Sequence, residues 1–377
     1  MKKITTTLLI VFCFVAFSCS NDDNNGSAAG DLTVTGKVMA PNNSFPISRA
    51  TVKVFQDDEL IATKVSDALG VFEVNDLPDG ELTIQLSKGK FKKSFEIDLQ
   101  DDYELLPAQR NLDEFPEIVV VQGAFDAIEE ILFEIGIVDP VTGAPAFDIV
   151  ANAGRMSSAA NGVHGPKGSD ARMSTMEPNV AFTANDLLHD TTLLNSYDII
   201  FLNCGGPQVL DPVAAANLKA FVNDGGIVYA TDWAFSYINT AFAEDNYLTF
   251  AIPNYGGTST IAEVTINDPD LLAWLDNQGI DVLPSVTIEG FIGGWQMVES
   301  FNDSTVDAWL PATTVDYGGG VFTNKALAYT FQHGCGGVFY SSFHTHGNNS
   351  AQNEVQQMMN YFVFELSGLG EGCGASN

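Results

Sequence analysis

Basic residues are scarce in this chain: 16 lysines and arginines stand against 48 aspartates and glutamates in 377 residues, a formal net charge of -32 at pH 7. A surface this negative repels phosphate and cannot release counterions from it, which excludes nucleic acid as a natural partner. Cysteine is scarce too, and the five present do not form the dense disulfide framework of a small secreted domain. Long hydrophobic runs are also missing: the apolar stretch Leu8 to Phe17 is too short to span a ~30 Å hydrocarbon layer as a helix. No internal repeat or heptad pattern is present. What the chain does have is 45% hydrophobic residues, enough for sizeable cores, and a length beyond that of one ordinary domain. Two domains are expected.

Lys2 and Lys3 followed by Leu8 to Phe17 read as an export signal covering residues 1–18. Ala16-Phe17-Ser18-Cys19 resembles a bacterial lipobox. The resemblance implies that the Cys19 thiol is acylated and starts the mature chain, so the membrane is a partner through an N-terminal lipid. An ordinary cleaved signal with an incidental cysteine is the alternative. Residues 19–30 are rich in Asn, Asp, Ser and Gly, have no apolar period, and read as a flexible acidic tether. Asp22-Asp23 resemble the signal that sends lipoproteins of Bacteroidetes to the outer cell surface, which implies an outer-membrane, surface-exposed protein. Cys13 leaves with the signal, so Cys204, Cys335 and Cys373 remain, an odd set that leaves a free thiol or an intermolecular bond. Cys335 and Cys373 sit in glycine-flanked, loop-like contexts and are paired as a disulfide, as an oxidising compartment allows. Cys204 follows an apolar run and is expected to be buried.

Residues 31–106 alternate apolar and polar positions, as in Leu32 to Val38, Ala50 to Phe55, Val71 to Val74 and Leu82 to Leu86, with Pro, Gly and Asp between the runs. That pattern predicts short antiparallel strands and a small β-sandwich. Val65 to Leu82, with Asp67, Gly70, Phe72 and Pro78-Asp79-Gly80, resembles the carboxypeptidase regulatory-like (transthyretin-like) family. The resemblance implies a tight turn at Asp67 and Gly70, a core plug at Phe72, and a spacer or interaction module without catalytic residues.

From residue 117 to residue 369 the pattern changes. Glu117 to Gly123, Tyr197 to Cys204, Gly226 to Ala230 and Gly337 to Ser342 are continuous apolar runs, and Phe125 to Ile137, Pro212 to Asn223 and Gln352 to Leu366 have helical spacing. Alternating strand and helix with such strands predicts a parallel sheet covered by helices on both faces, a flavodoxin-like α/β domain. Tyr197 to Pro207 resembles the strand and oxyanion glycine loop of class I glutamine amidotransferase-like domains, and Ser342-Phe343-His344-Thr345-His346 resembles their Phe-His-Pro-Glu strand end. The trehalose-utilisation-like branch of that fold is similar as well. The resemblance implies a nucleophilic cysteine at a sharp strand-to-helix turn, yet this chain has Ala230-Thr231-Asp232-Trp233-Ala234 there. His344 matches the family's base, and His346 replaces its orienting acid. Glutamine hydrolysis is therefore not expected.

Asp232, Cys204 with the Gly205 and Gly206 amides, and His344 are expected at the carboxyl edge of the sheet, where ligands of open α/β folds bind. His344 and His346, two apart on an extended segment, project to one side, and a divalent metal with Asp232 as third ligand is one reading. A hydrogen-bonded remnant is the other. Cys204 as a nucleophile served by His344 runs against its apolar strand. Asp232 also reads as a helix N-cap or first-turn acid. Trp233, Tyr237, Trp274, Trp295 and Trp309 are either sugar-stacking faces or packing residues. Residues 154–179 read as a long mobile loop and residues 251–322 as an inserted sub-structure with strand-like Thr260 to Ile266 and Val282 to Ile288 and helix-like Pro269 to Asn277, and residues 370–377 read as a C-terminal tail. The expectation is a cell-envelope lipoprotein acting as a non-catalytic binding or assembly module for carbohydrate or an envelope protein. The competing expectation is a hydrolase built on Asp232, His344 and His346.

Overall fold

The computed structural model describes residues 30–151, 174–205, 210–251, 256–258, 260–291, 293–343, 345 and 353–369. The lipobox cysteine, the tether up to residue 29, Gly206, His344, His346, Cys373 and the tail lie outside them.

The first part is all strand: β1 (Leu32–Lys37), β2 (Thr51–Gln56), β3 (Glu59–Val65), β4 (Val71–Leu77), β5 (Gly80–Lys88), β6 (Phe91–Leu99) and β7 (Tyr103–Glu104). They form a three-stranded sheet in the order β4-β1-β7 and a four-stranded sheet in the order β3-β2-β5-β6. Period-two alternation does what it predicts: Leu82, Ile84 and Leu86 of β5, Val52 and Val54 of β2, and Phe72 and Val74 of β4 are buried in a common core. The turn before β4 is held by Asp67, whose carboxylate accepts the Leu69 and Val71 amides at 2.8 and 2.9 Å. Gly70 has φ +74° there, and a Cβ would stand 2.6 Å from the Val38 carbonyl oxygen.

The second part is built on a nine-stranded sheet. Its parallel half comprises β8 (Ile118–Val121), β9 (Asp148–Val150), β10 (Ile199–Leu202), β11 (Ile227–Thr231) and β18 (Gly336–Ser341). In space they run β18-β11-β10-β8-β9, which counted along the chain is the doubly wound order 2-1-3-4-5. Both faces are buried, and successive residues serve opposite cores. Val119, Ile200 and Val228 pack with the helices α2 (Ala184–His189), α4 (Pro212–Asn223) and α5 (Phe235–Ala241); α3 (Thr191–Leu194) lies beside them. Val120, Phe201 and Tyr229 pack with α1 (Ile128–Glu134), α6 (Pro269–Asn277) and α7 (Asn353–Leu366).

The expected all-parallel sheet needs correction. Its other half is antiparallel: β13 (Thr260–Val264), β14 (Val286–Phe291), β16 (Val306–Tyr317) and β17 (Gly320–His333) continue the sheet outward from β18 in the order β17-β16-β13-β14. The reason is connection length. β16, β17 and β18 are joined by tight turns with Gly318, Gly319 and Gly334 at positive φ, too short for the crossover that a parallel pair needs. Strands from within residues 251–322 thus extend the central sheet, while β12 (Leu248–Phe250) and β15 (Val298–Phe301) pair as a two-stranded ribbon.

The two parts share one apolar cluster, which runs from Val34 and Phe91 to Trp274 and Phe364. Phe45 meets Trp274 edge-on at 5.0 Å, and Phe91 lies 4.9 Å from Phe364 between ring centroids. Arg49 grips both oxygens of Asp270 at 2.8 Å, Lys88 pairs with Glu365 at 2.6 Å, and Lys90 with Asp198 at 2.8 Å. Among the described residues no helix is long and apolar enough to cross a membrane.

Candidate functional site

In the 2-1-3-4-5 order the strand direction of winding reverses between β8 and β10, and ligands of such sheets bind beyond the carboxyl ends there. The backbones crowd together at this point. A Cβ on Gly123 would lie 1.9 Å from the Cys204 carbonyl oxygen, and the Phe125 amide donates to that oxygen at 3.0 Å.

Beyond the strand ends sits a buried polar network. Asp126 and Glu129, on and just before α1, are wholly buried, as are Thr231 and Asp232 at the end of β11. Asp126 is saturated with donors: the Ala127 amide at 2.9 Å, the Thr345 amide at 3.0 Å, and the hydroxyls of Thr231 and Thr345. Thr231 passes the network on, its hydroxyl oxygen accepting the Cys204 amide at 2.9 Å. Glu129 accepts the side-chain amides of Gln122 and Asn203, each at 2.7 Å. Burial pushes its carboxyl above the usual carboxylate range, and the hydrogen bonds only partly oppose this. Gln122 also donates to the Met176 carbonyl at 2.8 Å, and Glu130 accepts both the amide and hydroxyl of Thr175. Thus Thr175 and Met176, expected in a mobile loop, are held by Glu130 and Gln122; residues 152–173 lie outside the described chain.

Asp232 occupies the strand-to-helix bend. Its φ is +42°, a left-handed conformation that costs a non-glycine residue about 1–3 kcal/mol and persists only where the surroundings dictate it. They do so here: one carboxylate oxygen accepts the Gln296 amide at 2.8 Å, the other lies 3.7 Å from the Cys204 sulfur, and the Asp232 carbonyl accepts the Tyr340 hydroxyl at 3.3 Å. A short 3-10 turn, Asp232–Ala234, leads into α5. The first-turn acid reading of Asp232 fits this position, and its side chain also accepts the Gln296 amide.

Cys204 is a free, buried cysteine. Burial first, and the Asp232 carboxylate second, push its thiol well above the ordinary range, against a smaller opposing pull from the Trp233 amide. It remains a thiol where a nucleophile must be a thiolate. Gly205 follows it within the described chain, while Gly206, His344 and His346 lie outside it. Thr345, between the two histidines, anchors on Asp126. Among the described residues no group of three or more His, Cys, Asp or Glu side chains is arranged to hold a metal. Cys335 is disulfide-bonded; Cys373, its expected partner, lies outside the described residues.

The aromatic residues divide. Tyr237, Trp274 and Trp295 are core residues with at most 4% exposure, which removes them as sugar-stacking faces. Trp233 and Trp309 are half-buried, their indole N–H groups bonded to the Gly294 carbonyl at 2.8 Å and the Thr330 hydroxyl at 3.0 Å.

Sequence reasoning singled out Asp232 and Cys204, which meet, but not Asp126, Glu129, Gln122, Asn203, Gln296 or Thr345. The available signal was Gly123-Ala124-Phe125-Asp126, an acid just past a glycine-ended buried strand.

No protein-family model matches the chain, and no curated protein matches it. Among solved structures it is similar to a ThuA-like protein from Bacteroides uniformis, with 10% identity, 66% of this chain and 89% of that one covered, and a TM-score of 0.37. A ThuA-like protein from Parabacteroides merdae is similar at 10% identity over 70% and 92% of the two chains, TM-score 0.36. The 5-hydroxyisourate hydrolase of Klebsiella pneumoniae covers 20% of this chain and 90% of its own at 16% identity, TM-score 0.18. These likenesses are too distant to carry an activity or a residue's role to this chain.

Proposed function

We propose that this chain is a lipid-anchored cell-envelope protein whose β-sandwich carries a flavodoxin-like, amidotransferase-like α/β domain that binds or assembles without catalysing hydrolysis. The supporting observation is the bend at Asp232. Where the resembling enzymes place an exposed thiolate, this chain places a carboxylate that is wholly buried and held by the Gln296 amide. The nearest thiol, Cys204, is sealed beneath it and protonated. Among the described residues of this site, neither Cys204 nor Asp232 reaches solvent, which favours a site that shapes a surface over one that presents a thiolate. Anchoring rests on the Cys19 lipobox and the acidic tether, and the ligand class on the reading of a carbohydrate or an envelope protein as partner. The test is turnover: purified protein releases no ammonia from glutamine and no acid from ester or glycoside substrates. Robust turnover abolished by His344→Ala overturns the proposal. Metabolic labelling with palmitate, lost in Cys19→Ser, tests the anchor separately.

One observation favours a second reading. A positive φ on a non-glycine residue at a strand-to-helix turn is the geometry of a nucleophile elbow, which supports a hydrolase using Asp232 with His344 and His346. Stoichiometric metal in elemental analysis of the purified protein, together with turnover lost in Asp232→Asn, would favour it.

A further inference from the structure

A cleft of ≈ 410 Å³ lies between the N-terminus of α6 and strand β16, lined by Asn267, Asp268, Asp307, Trp309 and Leu310 among others. It shares no residue with the buried network at the sheet's carboxyl edge. Its aromatic wall is held in place: the Trp309 indole N–H is fixed on Thr330, and the ring meets Phe362 edge-on at 5.4 Å between centroids. Its backbone is unusual. Leu310, 2% exposed, has φ +57° in the middle of a strand, and the ladder to β17 passes from Trp309↔Ala328 to Pro311↔Ala326 without pairing it. Successive residues of a regular strand face opposite ways, yet Trp309 and Leu310 both line this cleft.

The chemistry of the walls selects the occupant. An anion is disfavoured by Asp268 and Asp307, and the α6 amides that would attract one are taken, since Asp268 caps Asp270 and Leu271 at 3.0 and 2.7 Å through a single oxygen. A purely apolar ligand would strand the carboxylates and the Asn267 carboxamide. What suits one aromatic face ringed by planar hydrogen-bonding groups is a ring with an apolar face and hydroxyls around its edge. We propose that this cleft binds a neutral pyranose, stacked on Trp309, with its hydroxyls donating to Asp268 and Asp307 and exchanging hydrogen bonds with Asn267. The inference deepens the binding-module reading and rests on it.

Isothermal titration of the purified full chain with the methyl glycosides of glucose, galactose and mannose, and with maltose and cellobiose, tests it. The expected result is saturable binding of at least one sugar, weakened roughly tenfold or more by Trp309→Ala and also weakened by Asp307→Asn. Asp307 is exposed, so the second variant separates lost binding from lost fold. No saturable binding by any of these sugars overturns the proposal. Binding that both variants leave unchanged overturns the cleft as the site while the binding-module reading stands. Saturable binding of choline instead of sugar overturns the ligand class. Cleavage of maltose or cellobiose during the titration overturns the binding-module reading itself.

Discussion

The Cys204 thiol lies 3.7 Å from a carboxylate oxygen of Asp232, and neither residue has any exposed surface. A thiol beside a buried carboxylate loses its proton only with difficulty, because the thiolate would sit in a low dielectric next to a like charge. Cys204 in the folded chain is therefore expected to resist a neutral thiol reagent such as iodoacetamide from pH 6 to 9, and to react fully once guanidinium unfolds the protein. Rapid native-state labelling, located by peptide mass, would show that the network is open to solvent.

Asp232 carries two separable burdens: a strained φ and an acceptor that the buried Gln296 amide requires. Asp232→Ala keeps the strain and removes the acceptor, so it is expected to cost about 1–3 kcal/mol. Asp232→Gly loses the same acceptor but is free in this region of φ, and should cost less. Asp232→Asn keeps an acceptor and should be mildest. Urea unfolding of the three variants gives the order, and equal losses for Ala and Gly would show that the backbone there is unstrained.

The parallel half of the sheet is legible in the sequence because Ile118–Val121, Ile199–Leu202 and Ile227–Thr231 are buried on both faces and so read as continuous apolar runs. β17 is not. Val321 to Asn324 are exposed, Ala326 to Phe331 are buried, and Gln332 is exposed again, so neither alternation nor a uniform run marks it. The same limit applies to the site. Asp232 draws notice because it follows a buried strand, whereas Asp126 and Glu129 look like the acids that commonly favour a helix N-terminus. Contacts from Thr231, Thr345, Gln122 and Asn203 enclose them, and that enclosure is a tertiary event with no local signature.

Glu129 makes a pH dependence with a definite sign. Burial raises its carboxyl in the folded chain above its unfolded value. Its contribution to stability is therefore fully present below the unfolded carboxylate pKa and is lost as pH rises through the folded one. Within that window the folded state holds a proton that the unfolded state has released, and stability falls by about 1.4 kcal/mol per pH unit from this group. Glu129→Gln should remove that slope. The amide it introduces can be accepted by Asn203 Oδ1, a buried atom without a hydrogen-bond partner, after rotation of the Asn203 amide. Urea midpoints of both proteins between pH 4.5 and 7 check this; parallel curves would mean that Glu129 is ionised in the fold.

The strand-only part and the nine-stranded sheet should unfold together. Phe45, 5% exposed, packs against Trp274 of α6 and Phe364 of α7, with ring centroids 5.0 and 6.1 Å away, so the seam between the parts is core rather than linker. Phe45→Ala opens a cavity in that seam and is expected to cost about 3–5 kcal/mol. Arg49→Ala removes an ion pair whose arginine side chain is 51% exposed, and such pairs add little. If the shared cluster couples the parts, calorimetry of the unmodified chain gives one transition, and Phe45→Ala either lowers it as a whole or splits it. Two transitions already present in the unmodified chain, with only one of them moved by Phe45→Ala, would mean that the β-sandwich is an independently folding spacer after all.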